Sequence, residues 1–254
     1  MTSLRERWRS ISASAIGSSH IMQKLPCQDA HAIVTLDDGT LIVAVADGAG
    51  SAKRSEEGAL RAVQSSTQYL SAHLSERLPQ TPDECESLLI EALSNACAAL
   101  EGLAPGEEIK DVATTILLTI VTDLWLATIQ VGDGAVVCRD SFEHLSVLSE
   151  KGSSEYINET TFLTSSDYLN QAPRVTMSSA DINGIAMFTD GIQMLALNYS
   201  DNTAYEPFFK TMFDFAESAT STSAELKEFL LSDRVCERTD DDKTLVLAVR
   251  HVSC

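Results

Sequence analysis

Four aspartates stand at the ends of apolar runs, and no other residues in this 254-residue chain are so well suited to chemistry. Asp47 follows residues 40–46 (TLIVAVA), Asp190 follows residues 185–189 (IAMFT), Asp241 precedes residues 244–249 (TLVLAV), and Asp29 stands before residues 30–35. Short apolar runs bounded by turn residues read as buried strands. Strand ends are rigid and hold ligand atoms more accurately than loop tips. Hard cations such as Mg²⁺ and Mn²⁺ take oxygen ligands from carboxylates, carbonyls and water. If the four ends meet at one edge, they make an oxygen-rich site for two such ions. Such a pair lowers the pKa of a bridging water, holds a phosphoryl oxygen and offsets charge in an in-line displacement. One Asp-Gly alone is a plain turn signal. The weight lies in four such acids together, with Gly48 and Gly191 behind two of them, where a missing Cβ lets backbone approach an ion.

The elements that must position these acids are legible in outline. Residues 55–74 carry apolar positions at helical spacing (Leu60, Val63, Tyr69, Leu70, Leu74), with Glu56 and Glu57 in the first turn. After a link bearing Pro79 and Pro82, a second helix runs over about 84–101, with a core stripe of Leu88, Leu89, Ala92, Leu93, Ala96, Ala99 and Leu100. Runs at 113–121, 125–131 and 135–139 read as strands; the turns between them, Thr122-Asp123 and Gly132-Asp133-Gly134, suggest an antiparallel meander. Residues 192–231 read as mainly helical, with Tyr205, Phe208, Phe209, Phe213 and Phe215 as core aromatics. The stretch 150–172 is polar and carries no clear period. Strands come before and after paired helices without strict alternation, which favours an α+β fold in one domain spanning 1–254.

Bulk composition excludes several functions. There are 37 acidic against 18 basic residues, for a net charge of −19. That balance argues against nucleic acid and against an anionic membrane surface as partners. Six cysteines are scattered without a CxxC pair or zinc spacing. The N-terminus holds Arg5, Arg7 and Arg9 with no apolar run behind them, and the longest apolar stretch, 112–121, is far too short to span a bilayer. The expectation is a cytoplasmic monomer. Residues 48–53 (GAGSAK) lack the glycine before Lys that a phosphate-binding loop needs.

The motifs Gly17-Ser-Ser-His20, Pro26-Cys-Gln-Asp-Ala30, Val45-Ala-Asp-Gly-Ala-Gly50, Ala113-Thr-Thr115, Val131-Gly-Asp-Gly134, Phe188-Thr-Asp-Gly191 and Asp241-Asp-Lys-Thr244 occur in one order along nearly the whole chain. In that order they resemble the metal-dependent protein phosphatase 2C family, in its compact bacterial branch. The resemblance implies two stacked antiparallel β-sheets flanked by helices, with metals in a cleft at one end. It implies that Asp47 bridges two Mn²⁺ or Mg²⁺ ions and that the Gly48 carbonyl binds one of them. Asp190 and Asp241 complete the other shell, and Asp29 acts mostly through water. Asp133, with Asp190, matches the place of a third ion.

The departures from the family pattern concern the phosphate and the leaving group. Lys24 stands where the family often has an Arg that grips phosphate, and Lys offers a point charge instead of a fork. Ala49 stands where some members carry a His, so His20 becomes a candidate for phosphate or proton-transfer work. The last motif usually reads Asp-Asn; here Asp241 and Asp242 both offer a carboxylate, and offset prefers Asp241. The resemblance therefore implies a serine/threonine protein phosphatase that attacks phosphorus with a hydroxide bridging two ions. Asp47, Lys24 and His20 are its catalytic candidates and a phosphorylated protein its substrate. The alternative is a non-catalytic module that binds a phosphorylated partner.

Overall fold

The structure, a computed structural model, describes residues 8–149, 160–165, 174–178, 181–198 and 200–250. Arg5 and Arg7, Cys254 and most of the polar stretch 150–172 lie outside the described residues. Two five-stranded sheets, antiparallel throughout, stack face to face. The first contains β1 (Trp8–Ala15), β10 (Lys243–Arg250), β9 (Ile182–Phe188), β6 (Ala135–Asp140) and β7 (Leu145–Val147), in that spatial order. The second contains β2 (Asp29–Thr35), β3 (Leu41–Asp47), β4 (Ile116–Val121), β5 (Leu126–Val131) and β8 (Arg174–Ser178). This is the α+β sandwich expected from the sequence.

Side-chain alternation along the central strands explains why they read as unbroken apolar runs. Leu41, Val43 and Val45 of β3 enter the core between the sheets, beside Leu117, Val136, Met187 and Val246. Ile42, Ala44 and Ala46 point the other way, into a core shared with α2 (Ser55–Glu76) and α3 (Pro82–Leu103). Strand faces alternate with period two, so a strand covered on both sides has no polar positions to spare. On the far side, Leu245, Leu247 and Val249 of β10 meet Phe208, Phe209 and Phe213 of α5 (Glu206–Glu217) and Leu226 and Leu230 of α6 (Ser223–Leu230). The layers therefore run helix, sheet, sheet, helix. Among the described residues, no helix is long and apolar enough to cross a membrane.

Several expectations change. The meander holds for β4 and β5 only: at Gly132-Asp133-Gly134 the chain leaves the second sheet, and β6 pairs with β7 and β9 in the first. Both glycines have positive φ (+93° and +97°), a conformation that turns the chain out of its sheet. Leu60 is 49 % and Tyr205 46 % exposed, so neither joins the core, and Ala99 is only partly covered. Strand β1 and the short helices α1 (Ser18–Gln23), α4 (Asp190–Ala196) and α7 (Asp233–Cys236) complete the described elements, with a 3₁₀ helix at Gly106–Val112.

Candidate metal centre

Register places the acids at one end of the sandwich. Asp29 opens β2 directly opposite Asp47, which closes β3. Phe188, the last residue of β9, pairs with Ala135 at the start of β6 and with Leu245 near the start of β10. Asp190 therefore begins α4 at the same level at which Asp241 leads into β10 and Asp133 crosses from β5 to β6. One carboxylate oxygen from each of Asp47, Asp133 and Asp190 lies within 4.8 Å of the others. They open onto a cleft of about 350 Å³ that is also lined by Ser19, His20, Gln23, Gly48, Ala49, Gly50, Thr115, Thr160, Phe162, Asp240 and Asp241.

Carboxylates packed this way cannot all stay charged on their own. Burial, then Asp29, Asp190, Asp133 and Asp241, push Asp47 up to about 11. Burial raises Asp29 to about 8 against the pull of hydrogen bonds from Thr189 and Thr244. Burial, then Asp133 and Asp241, raise Asp190 to about 7, and burial raises Asp133 as well. Asp29 Oδ1 and Asp190 Oδ1 are buried without a hydrogen-bond partner. A buried acceptor without a donor is costly and wants either a proton or a cation. The donor set is all oxygen, with no cysteine or histidine in the cluster, and it fits hard divalent ions.

A family model for protein phosphatase 2C matches residues 16–231. The chain belongs to that family. As a protein phosphatase it is an enzyme, and its relatives agree in extent as well as in kind. It is 38 % identical over 251 residues to serine/threonine-protein phosphatase 3 of Escherichia coli (strain K12), covering 95 % of this chain and 98 % of the relative. Among solved structures, serine/threonine phosphatase Stp1 from Staphylococcus aureus superposes with a TM-score of 0.64 at 14 % identity, over 94 % of each chain. The catalytic domain of serine threonine protein phosphatase PstP, in complex with two manganese ions, superposes with a TM-score of 0.59 at 18 % identity, over 96 % of this chain and 98 % of that one. At these identities the solved structures speak for the fold.

The phosphatase builds its acid cluster on hydroxyl and amide supports. Thr115 N and Thr114 Oγ1 donate to the Asp47 carbonyl at 2.8 and 2.9 Å, and Asp47 N donates to Thr115 Oγ1 at 3.0 Å. A Cβ on Gly48 would sit 2.7 Å from Ser55, so the start of α2 packs where only glycine fits. Buried Thr189 ties the two sheets: its Oγ1 donates to Asp29 Oδ2 at 2.8 Å and accepts from Thr244 N at 3.0 Å. Thr160 Oγ1 donates to Asp133 Oδ2 at 3.1 Å.

Geometry separates the two carboxylates that the sequence left open. Asp242 is buried; its Oδ1 accepts from Gly17 N at 2.6 Å and its Oδ2 from Gln28 N. His20 Nδ1 lies 2.9 Å from the same Oδ2, at ion-pair distance but outside hydrogen-bond alignment. Asp241 is the one that faces the cleft. His20 is buried and lines the cleft. Lys24 caps α1 in the left-handed region (φ 59°), exposed and outside the cleft lining. Sequence reasoning overlooked Thr189 and Thr160 as supports and Asp240 as part of the rim. Thr189 was visible within Phe188-Thr-Asp-Gly191, but nothing local announces a hydroxyl that reaches another sheet.

Proposed function

We propose that this chain is a metal-dependent serine/threonine protein phosphatase that hydrolyses phosphoserine and phosphothreonine on proteins. The observation that carries the reading is the convergence of Asp47, Asp133 and Asp190 within 4.8 Å, from strand ends far apart in the chain. Asp47, the Gly48 carbonyl, Asp190 and Asp241 would hold two divalent ions, Mn²⁺ or Mg²⁺. Asp29 would assist through water, and Asp133 with Asp190 would offer room for a third ion. When bound, such ions supply a water nucleophile at neutral pH and a clamp for phosphoryl oxygens.

The chain's own residues do the rest. The cleft positions the phosphate between the acid cluster and the wall formed by α1. His20 stands on that wall, with Nδ1 against Asp242 and its second ring nitrogen left to give a proton to the departing serine or threonine oxygen, which becomes the product hydroxyl. Asp242 keeps the ring in place through a carboxylate that backbone amides already orient. Lys24, exposed at the end of α1, acts on the phosphate only at a distance, by steering. The intact acid cluster weighs against a purely binding role, because a phosphate binder has no use for converging carboxylates.

The test is release of phosphate from a phosphothreonine peptide by the purified chain with Mn²⁺. Release should stop on chelation and fall by a factor of about 10³ or more in Asp47→Ala, in line with removal of a group essential to transition-state stabilisation. Turnover that survives either treatment is incompatible with the reading.

A further inference from the structure

The cleft is lined by five aspartates and one histidine, and by no lysine or arginine among the described residues. Lys24 stands exposed at the end of α1, outside the cleft lining, and three other cationic side chains are engaged elsewhere. Lys243 is fully buried and gives its ammonium to the carbonyls of Asp241 and Ile16 at 3.1 and 3.5 Å. Lys53 lies 3.3 Å from Asp111, and Arg54 meets both carboxylate oxygens of Glu57. Of the five acids, Asp240 alone stands outside the set assigned to metals and is exposed. Its backbone carbonyl accepts from Ser19 N at 3.0 Å and Ser19 Oγ at 2.8 Å, which fixes it against α1 at the mouth of the cleft.

We infer that this cleft selects phosphosites flanked by arginine or lysine, with Asp240 as the rim carboxylate that reads the basic neighbour. The inference rests on the phosphatase reading and adds the substrate class. Bound dications offset the inner carboxylates, which leaves Asp240 and a chain of net charge −19 as the field that residues beside the phosphate meet. An acidic neighbour enters a field of its own sign, and among the described residues no lysine or arginine lines the cleft to receive it. A basic neighbour finds the Asp240 carboxylate, carried on backbone that Ser19 holds at the rim. Charges at a rim act on encounter and on choice of partner, and they are screened by salt.

The experiment compares two phosphothreonine peptides that differ only in carrying Arg or Asp beside the phosphosite, with Mn²⁺ saturating. The expected kcat/KM favours the Arg peptide by about tenfold at low salt, with the ratio falling towards one as NaCl approaches about 0.5 M. Asp240→Asn should shrink the ratio about threefold, mainly through KM, and Asp240→Glu should keep it. The ratio is taken within one preparation, so it does not depend on how much of a variant is folded. Calorimetry with the same peptides bearing a non-hydrolysable phosphonate should give the same order of affinity. A ratio near one, or a ratio that Asp240→Asn leaves unchanged, overturns the inference while phosphate release keeps the phosphatase reading. No release from either peptide removes that reading and the inference with it.

Discussion

Thr189 shows how much of this site is made by residues that touch no substrate. Its hydroxyl is buried, spends its proton on Asp29 and accepts the amide of Thr244, so one oxygen joins β9, β10 and β2. Supports of this kind orient ligands, and their loss typically costs metal affinity tenfold or more. Thr189→Val keeps the shape and removes the hydrogen bonds. It should weaken Mn²⁺ binding by about tenfold in calorimetry, whereas Thr189→Ser should restore it. A valine variant with unchanged affinity would leave Thr189 a packing residue only. Asp242 is a second case. Where the family pattern has Asn, this carboxylate gathers two backbone amides and the His20 ring. Asp242→Asn should lower kcat on a phosphothreonine peptide but spare an activated aryl phosphate, whose leaving group needs no proton. Equal effects on both substrates remove Asp242 from the proton step.

At the scale of elements, glycine marks where two segments approach too closely for any side chain. A Cβ on Gly191 would lie 1.9 Å from the Asp242 carbonyl oxygen, so α4 cannot seat against the entry to β10 with anything larger. Gly191→Ala should cost about 2–4 kcal/mol in urea unfolding, as overpacking against backbone does. Gly102, near the end of α3, has nothing within 4 Å of its missing Cβ. Gly102→Ala should therefore gain about 0.4–1 kcal/mol by restricting the unfolded chain. If the two substitutions move stability alike, the packing of α4 on β10 is not what holds Asp190. Two elements resisted sequence reading for different reasons. β1 alternates Ile11, Ala13 and Ala15 with serines, and alanine against serine gives little contrast although the burial alternates cleanly. The step from β5 to β6 looks like any hairpin turn until the sheets are seen to differ.

At the scale of the whole molecule, the acids make stability depend on pH and metal together. Without ions, Asp47, Asp29 and Asp190 have folded-state values of about 11, 8 and 7, above the roughly 3.9 of an unfolded aspartate. The fold then binds more protons than the open chain. Its contribution from these groups is complete below about pH 4 and is lost as pH rises, up to about 7 for Asp190, about 8 for Asp29 and about 11 for Asp47. Divalent ions compete with those protons, so uptake releases protons and tightens as pH rises. Mn²⁺ should accordingly raise the melting temperature more at pH 8 than at pH 5.5, measured against a chelated sample. Equal gains at both values would mean that the ions bind away from this cluster.

The apolar runs and the acids that end them determined the strands, the two long helices and the identity of the candidate ligands, because alternation, helical spacing and strand-end position are local properties. Asp47, Asp190 and Asp241 could be named before any coordinates. Which of Asp241 and Asp242 faces the cleft, that His20 is buried on its wall while Lys24 stands outside it, and that Asp240 lines the mouth were decided only by tertiary structure. Neighbouring residues differ there by the direction of one side chain, and for Asp242 that direction is set by Gly17 and Gln28, more than 200 positions away in the chain.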